Sequence, residues 1–175
     1  MEKLEDENLL DLYYFDGAIF SLTPYIPYAW QKAGCEIRIP SSHSKNINVL
    51  GFLKRDNTFS SYTIEGRVDS EIIVSVFEAF IKTLDPKRKS CIVIDNAPTH
   101  TSNLFKSMKP IWKTKSIHIF NLSPYSPELN RIEILWRFMK YLWIPFDAYS
   151  SFENLQNSVN HILTNIGKQF TISFA

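Results

Sequence analysis

The pattern of hydrophobic and polar positions along the chain predicts five strands and four helices, in the order β-β-β-α-β-α-β-α-α. Aromatic and branched residues indicate the first strand, and two short runs on either side of a polar turn at 54–57 indicate a hairpin. A wholly apolar run at 90–94 is typical of a strand that is buried on both faces. The predicted strands cover about residues 9–22, 47–53, 58–64, 90–94 and 116–122.

Helical spacing of apolar side chains predicts one helix between the last two strands and three more over about 70–84, 126–143 and 151–166. The helix over 126–143 opens with Ser-Pro-Glu, a favourable N-terminal sequence. Three leading strands followed by alternating units predict an α/β fold, a mixed sheet with helices on both faces. In such sheets, functional sites form where strands end.

The composition fits one domain, 1–175, with a core over about 9–165. At 175 residues and 45% hydrophobic, the chain is long and apolar enough to bury that core. No apolar run approaches the roughly 18 residues of a membrane span, and the acidic start excludes a secretory signal. Cys35 and Cys91 lie far apart and exclude a disulfide framework, so we expect a cytoplasmic location.

Charge is unevenly distributed along the chain, although its net value is only +1. Residues 1–16 carry six acids and one base, whereas residues 82–115 carry eight bases and two acids, a net charge of +6. Two interpretations of the basic stretch stay open: a solvated surface, or a surface that faces phosphates.

Three acids occupy unusual positions. Asp16 interrupts an apolar strand, Asp95 closes the buried strand, and Glu133 lies on the helix after the last strand. Taken singly, a salt bridge accounts for Asp16 and a helix N-cap accounts for Asp95. Together at one sheet edge, three carboxylates would raise each other's pKa, and a hard divalent cation would relieve the repulsion. Ligands that are all oxygen suit Mg²⁺ or Mn²⁺.

Glu128 competes with Glu133 for the helical position, because both flank the apolar stripe of an ideal helix. The preference of first turns for acids accounts for Glu128. No such preference accounts for Glu133, so we favour it as the third acid. The stripe that we expect to be buried comprises Leu129, Ile132, Trp136, Met139 and Trp143.

Two segments carry a resemblance to a known family: 95–100 (Asp-Asn-Ala-Pro-Thr-His) and 122–136 (Leu-Ser-Pro-Tyr-Ser-Pro-Glu-Leu-Asn-Arg-Ile-Glu-Ile-Leu-Trp). With them, the chain resembles the DDE catalytic domain of Tc/mariner superfamily transposases, especially the bacterial insertion-sequence branch. The likeness covers about residues 9–165, and three shorter segments support it: 14–16 (Tyr-Phe-Asp), 30–34 (Trp-Gln-Lys-Ala-Gly) and 49–51 (Val-Leu-Gly).

The resemblance implies an RNase H-like fold and a metal-dependent enzyme that cuts and joins DNA strands in cut-and-paste transposition. It places the catalytic triad at Asp16, Asp95 and Glu133, which would hold two Mg²⁺ or Mn²⁺ ions. Around the triad, Asn96 would orient Asp95, and His100 would contact a phosphate or assist proton transfer. The residues expected to hold the DNA backbone are Lys106, Lys109, Lys113, Lys115 and Arg131, the last standing where the family usually has Pro.

The expected partners follow from the same resemblance. They are double-stranded DNA, as transposon ends and target, and a second copy of the chain in a homodimer near the bacterial nucleoid. The family's helix-turn-helix modules are absent from this sequence, so we expect a separately encoded subunit to supply them, unless they are lost. The alternative is an inactive remnant that binds DNA or dimerises without cleavage. Another RNase H-like nuclease fits the segment 124–130 less well.

Overall fold

The computed structural model describes residues 1–24, 45–124 and 126–174. Its strands are β1 (Asp11–Ser21), β2 (Asn46–Leu53), β3 (Phe59–Ile64), β4 (Ser90–Ile94) and β5 (Ile117–Asn121). Its α-helices are α1 (Glu2–Asp6), α2 (Ser70–Ile81), α3 (Asn103–Thr114), α4 (Ile132–Phe138) and α5 (Phe152–Asn165). Short polar residues begin three of these helices: the side chains of Asp69, Ser102 and Ser151 accept hydrogen bonds from backbone N–H groups of the first turns of α2, α3 and α5.

The strands form one mixed sheet in the order β3-β2-β1-β4-β5, which confirms the predicted sheet. The β1–β2 and β2–β3 pairs are antiparallel, and the β1–β4 and β4–β5 pairs are parallel. Tyr14 pairs with Val93 in the parallel register of β1 and β4. Asp16 and Asp95 each follow one of these paired residues by two positions, so they meet at the same edge of the sheet, where β4 ends.

Helices cover both faces of the sheet, as predicted. On one face, α2 and α3 enclose an aromatic core in which the ring centroid of Phe77 lies 4.6 Å from that of Phe15 and 5.2 Å from that of Trp112. Complete burial of such a ring contributes about 1.5–3 kcal/mol. On the other face, α4 and α5 bury a larger and mainly aliphatic core, in which Leu155 and the aromatic side chain of Trp136 also lie.

A glycine allows α4 to approach the sheet closely. Gly51 pairs with Asp16 across β1 and β2, and a Cβ atom at this position would lie 2.9 Å from the indole of Trp136. Because Trp136 follows Glu133 by one helical turn, this contact holds Glu133 near Asp16.

The prediction of a single helix over 126–143 is wrong. A 3-10 turn (Pro127–Leu129) comes first, α4 follows, and a π-helical turn (Met139–Trp143) ends the segment. The break falls at Asn130, whose side-chain amide donates to the carbonyl of Phe15 on β1 instead of facing solvent. Since the turn before the break does not continue the axis of α4, Leu129 is 52% exposed and not part of the buried stripe.

The predicted order also lacked α1, a five-residue helix in the acidic N-terminal segment. Cys91 is a buried free thiol, and burial raises its pKa. Cys35, the segment 30–34 and Tyr125 lie outside the described residues. Within the described ranges, no helix is both long and apolar enough to cross a membrane.

Candidate active site

Asp16 lies partly buried on β1, on the face covered by α4. Its carboxyl group accepts a hydrogen bond from the N–H of Gly17 and shares one with the carboxyl group of Glu133. Burial raises the pKa of Asp16 well above its ordinary value, and the charges of Glu133 and Asp95 raise it further. The carboxyl group of Asp16 therefore binds a proton more readily than that of an ordinary aspartate.

Asp95 follows β4 and is held differently. Its Oδ1 accepts a hydrogen bond from the N–H of Ala97 at 3.0 Å and lies 2.6 Å from Nδ1 of His100. The hydrogen bond to His100 is the main reason why the pKa of Asp95 is lowered, against the effect of burial. The expectation that all three acids raise one another's pKa is thus wrong for Asp95, because a neighbouring imidazole stabilises its charged form.

His100 points inward. It is 4% exposed, and its ring centroid lies 5.4 Å from that of Phe15 and 5.9 Å from that of Phe105. This packing fixes the imidazole against Asp95, whose side chain is 46% exposed. From this position, His100 can orient the carboxylate of Asp95. Its buried ring does not suit direct contact with a phosphate, which is one of the roles that the resemblance implies.

Glu133 is the second residue of α4, and its N–H donates to the carbonyl of Asn130 at 3.0 Å. A cavity of about 460 Å³ joins the second and third acids. Its lining residues are Asp95, Asn96, Ala97, Leu122, Ser123, Pro124, Ser126, Asn130 and Glu133. The three predicted acids therefore meet around one edge of the sheet, two of them on the cavity wall.

Asn96 also lines this cavity, but its amide ties two strand ends together. Its Nδ2 donates to the carbonyl of Leu122 at 2.7 Å, and its Oδ1 accepts a hydrogen bond from Nδ2 of Asn121 at 3.3 Å. Neither of these hydrogen bonds involves the Asp95 carboxylate. Asn96 supports the loop after β4, so its expected orienting role stays a prediction.

In the described ranges, no group of three or more His, Cys, Asp or Glu side chains is assembled closely enough to hold a metal ion. The hydrogen bonds explain this finding, since Asp16 is bonded to Glu133 while Asp95 is bonded to His100. The available donors are nevertheless carboxylate oxygens, the kind that Mg²⁺ and Mn²⁺ prefer.

Three of the lysines expected to bind DNA lie on α3, and the fourth, Lys115, directly follows it. This helix begins beside the loop that carries Asp95 and runs back along the sheet. Lys106 is exposed near its beginning, and Nζ of Lys109 lies 2.5 Å from Oδ1 of Asn121, at the site edge. Lys113 and Lys115 lie at the opposite end, where Lys115 pairs with Glu78 at 3.3 Å.

Arg131 lies beside Glu133 but already has an acidic partner. Its Nε lies 3.2 Å from Oε1 of Glu2, which also accepts a hydrogen bond from the hydroxyl of Tyr14 at 2.8 Å. These hydrogen bonds lower the pKa of Glu2. The acidic N-terminal helix α1 therefore compensates one of the charges that the sequence assigns to DNA binding.

A further base of the 82–115 stretch lies at the edge opposite the site. Nε of Arg88 lies 2.8 Å from Oδ2 of Asp11, and Nζ of Lys54 lies 3.0 Å from Oδ1 of the same acid. Burial tends to raise the pKa of Asp11, but these two hydrogen bonds hold it below its ordinary value. The basic stretch is thus not one continuous surface.

Sequence reasoning missed two asparagines. Asn130 is 2% exposed and connects the backbone beside Asp16 to Glu133. Asn121 links Lys109 to Asn96 at the end of β5. The sequence could have indicated Asn130, because it is a polar residue in the middle of a segment predicted to be helical. Asn121 was indicated only by its place at the end of a predicted strand.

The five-stranded mixed sheet with helices on both faces is an RNase H-like fold. The chain matches the DDE superfamily endonuclease family over residues 11–156 and belongs to that family. Comparison with curated proteins finds no relative by sequence.

Three solved structures illustrate the likeness of fold. The catalytic domain of Mos1 mariner transposase is 12% identical, with a TM-score of 0.60 over 93% of this chain and 74% of that one. The Mos1 mariner paired-end complex with Mn is 14% identical, with a TM-score of 0.62 over 93% and 51%. A simian T-cell lymphotropic virus intasome in complex with a PP2A regulatory subunit is 18% identical, with a TM-score of 0.62 over 95% and 52%. The chain spans about half the length of the first Mos1 structures that it matches.

Proposed function

We propose that this chain is the catalytic domain of an insertion-sequence transposase that cuts and joins DNA strands, with Asp16, Asp95 and Glu133 as its metal ligands. The convergence of these acids from β1, β4 and α4 on one sheet edge carries the proposal. Membership of the DDE superfamily endonuclease family supports it. The triad positions are those that the segments 14–16, 95–100 and 122–136 imply.

The donor set fits two Mg²⁺ or Mn²⁺ ions. Burying the Asp16 carboxylate beside Glu133 costs free energy, and the raised pKa of Asp16 means that a proton on this group lowers that cost. A divalent cation would relieve the same repulsion in place of the proton. When bound, such ions supply Lewis-acid activation of a water or 3′-hydroxyl and stabilise the leaving oxygen. A Mos1 paired-end complex that contains Mn has a similar fold.

The protein's own side chains would prepare the site. His100 keeps the Asp95 carboxylate charged and oriented toward the cavity edge. Lys106 and Lys109 would contact backbone phosphates, which position DNA without reading its sequence. Lys113 lies one helical turn beyond Lys109 on the same helix, and Lys115 follows it, so both would extend this contact along α3.

We further propose that the domain acts as a homodimer on two transposon ends and on target DNA. Helix-turn-helix modules outside residues 1–175 would read the end sequences. The family membership and the Mos1 complexes of similar fold support this part of the proposal.

A nicking assay tests the catalytic proposal. The purified chain is incubated with supercoiled plasmid in Mg²⁺ or Mn²⁺, and open-circular DNA is measured on gels. We expect nicking by the wild type and loss of nicking in Asp95→Ala and Glu133→Gln. Glu71→Gln, which neutralises an exposed acid on α2, serves as the matched control and should nick normally. Equal nicking by wild type and Asp95→Ala would refute the assignment.

The alternative of an inactive remnant has one observation in its favour: in the described ranges, the acids are not assembled as a metal-binding group. Calorimetric titration with Mn²⁺ separates the two proposals. An active site should bind Mn²⁺ in the millimolar range or more tightly. A remnant should bind duplex DNA, give no heat with Mn²⁺ and leave plasmid intact.

A further inference from the structure

Asn130 connects the first and third acids of the site. It lies in the break between the 3-10 turn and α4 and is 2% exposed. Its Nδ2 donates to the carbonyl of Phe15 at 3.1 Å, and Phe15 immediately precedes Asp16. Its main-chain carbonyl accepts the N–H of Glu133 at 3.0 Å. One residue is thus bonded to the backbone beside one acid and to the backbone of another.

The other half of this amide has no partner. Oδ1 of Asn130 is one of two buried side-chain polar atoms, in the described part of the chain, that make no hydrogen bond. The orientation of the amide is fixed, because the Phe15 carbonyl can only accept and must face Nδ2. A buried oxygen without a donor costs free energy, so such atoms in folded proteins call for an explanation.

The cavity beside Asn130 supplies room for a donor. Asn130, Asp95 and Glu133 all lie on the wall of this cavity. The cavity volume of about 460 Å³ exceeds the roughly 30 Å³ that a water molecule occupies in the liquid. Mg²⁺ keeps several of its waters when it binds to carboxylates. Such waters are hydrogen-bond donors and need acceptors around the metal.

We propose that Asn130 is a positioning residue for the metal. Its amide nitrogen holds the Phe15 backbone so that Asp16 stays next to Glu133. Its amide oxygen is closed to water in the structure, so a bound cation would have to open the cavity wall before one of its waters could donate to this oxygen. This inference rests on the proposed metal-binding function of the three acids.

Calorimetric titration with MnCl₂ tests the inference on the full chain. Asn130→Leu keeps the approximate volume and removes both hydrogen-bonding groups. Loss of a partner around a metal's ligands weakens metal binding by about 10- to 100-fold, which we expect for this variant. Asn48→Leu is the matched control, since it removes a similar bond from an asparagine amide to the carbonyl of Gly66, at 2.7 Å, on β2. It should bind Mn²⁺ as the wild type does.

A second measurement needs no variant and keeps the test independent of folding defects. The side-chain amide signals of Asn130 and Asn48 are followed by NMR while Mg²⁺ is added to the labelled wild type. We expect the Asn130 signal to shift with saturation and the Asn48 signal to stay in place. Wild-type affinity in Asn130→Leu, or an unshifted Asn130 signal at saturating Mg²⁺, would overturn the inference alone. Absence of any Mn²⁺ binding by the wild type would overturn it together with the proposed function.

Discussion

Substitution of Gly51 by alanine perturbs the contact that places α4 on the sheet. The new Cβ would lie 2.8 Å from Cε2 of Phe59 and 2.9 Å from Cη2 of Trp136, whereas ordinary contact begins at 3.4 Å. The two rings must therefore retreat by about half an ångström, and overpacking of this kind costs about 1–3 kcal/mol. For a chain of this size, the melting temperature should fall by roughly 2–12 °C. Because Trp136 is one turn from Glu133, its retreat also separates Glu133 from Asp16 and should weaken Mn²⁺ binding.

Thermal unfolding followed by circular dichroism measures the first effect, and calorimetric titration with Mn²⁺ measures the second. Gly66→Ala is the control: a Cβ at Gly66 meets nothing within 4 Å, but its φ of +81° strains any other residue. This strain costs about 1–2 kcal/mol and lies away from α4. We expect Gly66→Ala to lower the melting temperature without changing Mn²⁺ affinity. An unchanged melting temperature in Gly51→Ala, or equal losses of Mn²⁺ affinity in both variants, would refute the reasoning.

Three other predictions concern single side chains. His100→Phe removes the hydrogen bond to the second acid and should weaken Mn²⁺ binding by about 10- to 100-fold, with His100→Asn affected less; stronger binding would show that the imidazole competes with the metal. Lys109→Ala should reduce duplex DNA affinity in a filter-binding assay, while Lys87→Ala, an exposed base that precedes β4 at the opposite end of the sheet, should not; equal losses would contradict the placement of DNA beside the acids. Asp11 has a lowered folded pKa, so its contribution to stability is present above the unfolded value of about 3.9 and disappears as the pH falls through the folded value. Urea unfolding should thus show a difference between Asp11→Asn and wild type that shrinks toward low pH, and a constant difference would contradict this.

Patterns that depend on burial alone were predicted well from the sequence. The strand at 90–94 was predicted to the residue, because a segment covered by helices on both faces is almost wholly apolar, and Ser90 is its one polar residue. The hairpin and its polar turn were also predicted within one residue, since alternation and turn chemistry are local properties.

Features that depend on partners distant in the chain were not predictable in this way. The break at Asn130 depends on the carbonyl of Phe15, which is 115 residues away in the chain. The lowered pKa of Asp95 depends on the inward orientation of His100, which the aromatic core beneath it fixes. The sequence placed the acids at a sheet edge, and the three-dimensional contacts decide how each is held.

The ion pair between Arg131 and Glu2 bears on the ionic-strength dependence of DNA binding. A free arginine that meets a phosphate releases a counterion from DNA, and each such contact weakens binding as salt increases. Arg131 would have to give up its ion pair with Glu2 to make such a contact. The counterion leaves the DNA all the same, because an isolated carboxylate does not condense a cation as the DNA polyanion does. A phosphate contact by Arg131 should therefore add nearly a full share to the salt dependence of binding but less affinity than a contact by the exposed Lys106.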